Sequence, residues 1–191
     1  PAPNNAWRSD SSSNDGSVVV GVGQSPVAYI SNNGGQSWRE LDIGATENWY
    51  RVKVSGDGNT IAVVANDFGG TGPGTGIYVS KNGTATTPTF TKAHDLVGDY
   101  SGVDMSSDGG VIAVTVSNAN AGGSTGQVLL SANGGASFTP LAVNVNGAAA
   151  PETDWRAITI SSDATRMAVA AGRFLTGGEG PIYLTTGARP Q

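Results

Sequence analysis

Four times along this chain an aromatic residue stands eight positions ahead of an aspartate: Trp7 and Asp15, Trp49 and Asp57, Tyr100 and Asp108, Trp155 and Asp163. Internal repetition constrains a fold more than local propensity does, because every unit must build one supersecondary structure and bury its faces against its neighbours. The aspartates recur at intervals of 42, 51 and 55 residues. Each is followed by a short apolar run, "SVVVGVG", "TIAVVA", "VIAVTV" or "RMAVAA". A second run ending in a hydroxyl residue comes next: "AYIS", "IYVS", "VLLS" or "IYLT".

Runs this short, rich in β-branched residues and bounded by Gly, Asn, Asp and Ser, read as strands, and no window shows the 3.6-residue apolar period of a helix. Before each Asp, Val52 and Val54, Val103 and Met105, Ile158 and Ile160 stand two apart, on one face of an extended strand. With the stretch after the Gly-rich turn, such as "SWRELDI" or "SFTPLAV", each copy holds up to four short strands. The period lies a little above the ~40–45 residues of a four-stranded propeller blade. The expectation is therefore an all-β, β-propeller-type repeat domain over 1–191, with blades at about 7–48, 49–99, 100–153 and 154–191 and the last one incomplete.

The Gly-rich turn "SNNGGQSW" at 31–38 returns as "SANGGASF" at 131–138. Gly accepts positive φ cheaply, and an Asn side chain can hydrogen-bond the backbone nearby and hold a turn without tertiary help. The aromatic that follows, Trp38, Phe90 or Phe138, is expected to cover the next sheet. Ser31, Asn33, Gly35, Ser37 and Trp38 resemble the Asp-box, or BNR repeat, of sialidase-like β-propellers, with Asn in the place of Asp. Ser131, Asn133, Gly135, Ser137 and Phe138 resemble it again, with Phe for Trp. "SKNGTATTPTF", holding Asn82 and Phe90, is similar with three residues inserted, and the fourth copy reaches only "TTGARPQ".

The resemblance implies propeller blades; it marks a fold more than a chemistry. Sialidases of this kind imply an arginine triad, an Asp acid/base and an F/Y-R-I-P stretch near the start. "PAPNNAWRSD" does not match that stretch, and Arg51, Arg156 and Arg173 are the only arginines placed near the relevant rim. No catalytic residue and no cofactor is assigned, and the chain is read as non-catalytic. A fragment of an Asp-box glycoside hydrolase stays open as an alternative, since such enzymes take their carboxylates from positions that spacing alone does not single out.

The turns after strands one and three should share one rim. The long loops should share the other, beside Trp49, Tyr50, Tyr100 and Trp155. With Asp67, Asn118, Asn120, Arg173 and Glu179 nearby, these aromatics would suit a carbohydrate: flat apolar faces for sugar CH groups, carboxylates and amides for hydroxyls. The competing reading is that the aromatics plug the packed strand ends and the loops are merely solvated.

Composition removes other classes. Ten Lys plus Arg are scattered singly against fifteen acidic residues, net charge -5, which leaves no basic stripe for nucleic acid. No apolar run approaches the ~20 residues of a bilayer span, so no membrane insertion is expected. Without Cys there is no disulfide or thiolate site. No metal site is expected, because no turn reads D-x-[DN]-x-[DN]-G; His94, the only His, has no G-x-S-x-G elbow to serve.

Sparse Lys with abundant Ser, Thr, Asn and Gly suits a secreted or cell-surface protein, and "PAPNNAW", with neither initiator Met nor signal-peptide core, suits a mature or excised chain. "NGT" at 82–84 is an N-glycosylation acceptor centred on Asn82, and Thr86, Thr87 and Thr89 flank Pro88 as O-linked candidates.

Two departures bear on function. The first inner strand, "WRSDSSS", places Asp10 and Ser12 where other copies carry Val52 and Val54. A buried unpaired carboxylate costs several kcal/mol, so that face must be solvated or partnered. The last copy also lacks an outer strand, and exposed sheet edges are normally covered. The expected function is a structural or interaction module, completed by other copies of itself or by the rest of a larger parent protein. A lectin-like propeller that binds glycans is the alternative.

Overall fold

The computed structural model describes residues 2–24, 26–66, 75–95, 98–117, 126–145, 148–149, 154–172 and 180–186. Four antiparallel meanders follow the four repeats. The first sheet joins β1 (Trp7–Ser12), β2 (Val19–Gly23), β3 (Ala28–Ser31) and β4 (Arg39–Leu41) in that order. The second joins β5 (Trp49–Val54), β6 (Ile61–Ala65), β7 (Gly76–Ser80) and β8 (Phe90–His94). The third joins β9 (Asp99–Met105), β10 (Ile112–Ser117), β11 (Gln127–Ser131) and β12 (Thr139–Pro140). After a hairpin of β13 (Asn144–Val145) and β14 (Ala148–Ala149), the fourth sheet holds β15 (Trp155–Ile160), β16 (Arg166–Ala171) and β17 (Ile182–Thr186).

Register repeats with composition. Val54 stands opposite Ile61, Met105 opposite Ile112 and Ile160 opposite Met167. Positions such as Asp10, Val52, Val103 and Ile158 are thereby equivalent. Side chains facing between sheets build three apolar clusters in series. The first joins Val20, Val22 and Ile30 to Trp49, Val52 and Val54, and the second joins Ala62, Val64, Ile77 and Val79 to Tyr100 and Met105. The third joins Ala113 and Val128 to Trp155 and Ile160. Each sheet thus offers its second and third strands to the inner strand of the sheet that follows, at roughly 1.5–3 kcal/mol for each fully buried aliphatic side chain. Among the described residues no such cluster joins the first and fourth sheets.

Polar contacts follow the same direction along the inner strands. The Val52 and Val54 N–H groups donate to the Ser9 and Ser11 hydroxyls at 3.3 and 3.0 Å. Asp104 pairs with Lys53 Nζ at 2.8 Å on one side and accepts from Ile160 N at 2.7 Å on the other. Asp10 and Ser12, by contrast, are exposed, which meets the solvation their sequence positions demand.

The post-turn aromatics correct one expectation. Phe90 and Phe138 pack into the clusters their sheets share with the preceding sheet, not the next one. Trp38, in the first described sheet, is half-buried and donates its indole N–H to Gly35 O at 3.1 Å, folding over its own turn.

Candidate functional site

Between the first and second strands of every sheet lies one turn, locked the same way four times. Asp15, Asp57, Asp108 and Asp163 each accept from the hydroxyl two residues earlier, Ser13, Ser55, Ser106 and Ser161, at 2.6, 2.6, 2.5 and 2.7 Å. Each also accepts the backbone N–H two residues later, at 2.9–3.0 Å. A carboxylate that accepts this many bonds is favoured in its charged form. The Ser13 hydroxyl, then the Ser17 N–H, hold the Asp15 carboxyl down from 3.8 to about 2; Ser161 and the Thr165 N–H do the same for Asp163, also to about 2. Ser55 lowers Asp57 in the same way.

The tips of these turns are laced together. Asn14 N donates to Gly56 O, Gly56 N to Ser107 O and Ser107 N to Ser162 O, at 2.7–2.9 Å. Asn14 Nδ2 also reaches Ser107 Oγ at 3.1 Å, joining the first and third sheets. A depression of about 640 Å³ opens among them, lined by Asn14, Asp57, Asp108, Ser162 and Asp163 with the adjoining tip residues.

The Gly-rich boxes sit on the same rim, for Gly34 N, Gly83 N and Gly134 N donate to Ser17 O, Asn59 O and Gly110 O of the adjacent Asp turns. In the first box Ser31 Oγ donates to Asn33 Oδ1 at 2.9 Å and accepts from Gly35 N, while Asn33 Oδ1 also accepts Ser37 N and Nδ2 donates to Ser37 Oγ. Ser131, Asn133, Gly135 and Ser137 repeat every bond. In the enlarged box Ser80 and Asn82 pair at 2.9 Å, and Thr89 takes the role of Ser37 by donating its N–H to Asn82 Oδ1. The three inserted residues are looped out while the two bonds to Asn82 Oδ1 are kept. Thr86, Thr87 and Thr89 are exposed on this loop, and Asn82 is half-buried.

The aromatic wall expected for a sugar is not on the surface. Trp49, Tyr100 and Trp155 are 1%, 0% and 4% exposed, because the position they share plugs the junction with the preceding sheet. Trp49 stands edge-on to Tyr78 at 5.2 Å and donates its indole N–H to Pro26 O; Trp155 repeats the edge-on geometry with Tyr183 at 5.6 Å. Tyr50 is half-buried with the Arg51 guanidinium 3.9 Å above its ring. Asp67, Asn118, Asn120, Arg173 and Glu179 lie outside the described residues. The buried Trp49, Tyr100 and Trp155 rings therefore cannot stack on a ligand, and the Tyr that recurs with each tryptophan of the set, Tyr29 with Trp7, Tyr78 with Trp49 and Tyr183 with Trp155, was the signal in the sequence that the tryptophans pair internally.

Among the described residues, the exposed large apolar side chains lie at the two ends of the row. Ile182 and Leu184 on β17 are 69% and 80% exposed, whereas Ile77 and Val79, at the same register, are 0% and 6%. A hollow of about 300 Å³ lies on this face, lined by Thr159, Ile160, Met167, Ala168 and Leu184 among others. At the opposite end Trp7 is 41% exposed, lying edge-on to Tyr29 at 5.7 Å. Its neighbours there are Asp10 and Ser12.

No protein family profile matches the chain, and no curated protein matches it. Solved structures do. A putative TolB from Agrobacterium tumefaciens superposes with a TM-score of 0.61 at 20% identity, covering 95% of this chain and 58% of that one. The Cps50 (Swd1) β-propeller domain of Myceliophteria thermophila gives 0.63 at 14%, covering 94% and 54%, and the computationally designed Ika4 protein 0.59 at 11%, covering 95% and 92%. The chain thus has the fold of a β-propeller and spans little more than half of the two natural chains.

Proposed function

We propose that this chain is an extracellular, non-catalytic interaction module of the β-propeller type that meets other polypeptide through the open face of its fourth sheet. The observation that carries this reading is the exposure of Ile182 and Leu184 at positions buried in the second sheet. Contiguous exposed apolar side chains beside a hollow mark a contact surface more often than scattered single ones do.

The test separates a contact surface from a fold-holding one. Ile182→Glu with Leu184→Glu is expected to abolish binding of an apolar dye while leaving the melting temperature within about 2 °C, since exposed substitutions change stability by about 0.5 kcal/mol or less. A large fall in melting temperature, or unchanged dye binding, would refute the reading.

Glycosylation of Asn82 belongs to the same proposal. Its Oδ1 holds the box, but its Nδ2 is not used as the Asn33 and Asn133 amides are, each of which donates to a Ser hydroxyl. A glycan on Nδ2 leaves the lock intact. Expression through a secretory pathway should give a species that loses mass with an amide-releasing glycosidase, and Thr84→Ala should lack it; identical masses for the two chains count against the site.

A further inference from the structure

The two open faces invite a simple closure in which the first sheet of one copy packs on the fourth sheet of another. Their chemistry opposes it. At each of the three existing junctions the inner strand of the later sheet brings an aromatic and then apolar side chains at the third and fifth positions beyond it: Trp49, Val52 and Val54; Tyr100, Val103 and Met105; Trp155, Ile158 and Ile160. They seat on the second and third strands of the sheet before.

The fourth sheet offers that same seat. Ala168 pairs with Leu184 and Ala170 with Ile182, as Ala62 pairs with Val79 and Val64 with Ile77. The first sheet offers Trp7 but follows it with Asp10 and Ser12. Packed on the fourth sheet, Asp10 would occupy the place that Val52, Val103 and Ile158 fill elsewhere, a carboxylate set against alanines and an isoleucine. A desolvated charge with no partner is strongly disfavoured.

We infer that the fourth sheet's open face is the docking site for a further propeller blade whose inner strand carries an aromatic followed by two apolar side chains, and that the first sheet of a second copy does not fill it. This rests on the reading of that face as a contact surface. It names the occupant: a module built like the second and third sheets, seated by continuation of the three junctions already present.

The test supplies the missing chemistry on the chain itself. Sedimentation of the full chain over rising concentration is compared with Asp10→Val/Ser12→Val, and with that variant also carrying Ile182→Glu/Leu184→Glu. Restoring the apolar pair should create head-to-tail association tighter than wild type by more than about tenfold, and the two glutamates should remove it. Wild-type association lost equally on Trp7→Glu and on Leu184→Glu would overturn the inference, because a second copy would then be the occupant, while the contact-surface reading would stand. Failure of the valine variant to associate more tightly than wild type would also overturn it, again without touching the dye-binding result.

Discussion

In the second sheet Ile77 and Val79 lie beneath the inner strand of the third, whereas Ile182 and Leu184 hold the same register positions in the fourth sheet and face solvent. Strand order, pairing and turn lock are shared between the two; coverage is not. Local sequence therefore builds each sheet, and the neighbour alone decides what a given side chain is worth. A Trp at the first inner position is a plug at Trp49 and a half-open ring at Trp7.

The largest contrast should come from those two tryptophans. Trp49→Ala removes a ring that is 1% exposed and its bond to Pro26 O, and should cost about 3–5 kcal/mol by chemical denaturation. Trp7→Ala should cost no more than about half of that; equal losses would mean that an unseen neighbour covers the first sheet. Ile77→Ala should destabilise by about 2–5 kcal/mol and Ile182→Ala by about 0.5 kcal/mol or less, measured as paired melts. Should Ile182→Ala match Ile77→Ala, the fourth face is covered and the contrast collapses.

Acid behaviour sharpens the comparison from the other side, because the Asp lock recurs in covered and uncovered sheets alike. Asp15 and Asp163 are held at about 2 in the folded chain, below their ordinary 3.8. Their contribution is complete above pH 4 and is lost as pH falls from about 4 toward 2. Asp15→Asn and Asp163→Asn should each flatten stability across that window and leave the slope above pH 5 unchanged. Identical acid profiles for wild type and both variants would show that the locks form equally in the unfolded chain.

The smallest effect is expected at the boxes. Asn33→Asp keeps the oxygen that accepts from Ser31 and Ser37 N, and the Ser37 hydroxyl can turn to donate to the new oxygen in place of the lost amide. Asn133→Asp is equivalent, and neither should shift stability by more than about 0.5 kcal/mol. A marked drop in the melting temperature of deamidated protein would mean that the amide donor is required.

Much of the fold was legible because repetition let four weak signals be read together. The solvated state of Asp10 was legible for a related reason: its aligned partners are Val52, Val103 and Ile158. The fate of the aromatics was not, since a ring at a strand end suits a sugar surface or a junction plug equally until its partner is known. Ser9 and Ser11 read as ordinary polar strand residues; their role depends on N–H groups more than forty residues away that only the packed sheets bring near. The recurring Ser two places before each Asp was on view in the sequence, but its reach to a carboxylate and to the next strand is a matter of geometry.

The laced turn tips have a temporal consequence. Asn14 donates to Gly56, Gly56 to Ser107 and Ser107 to Ser162, so a module is latched only once its successor has arrived. On a ribosome the chain would tighten from its amino end one step behind synthesis, and the most recently made sheet would stay the loosest until whatever follows it docks.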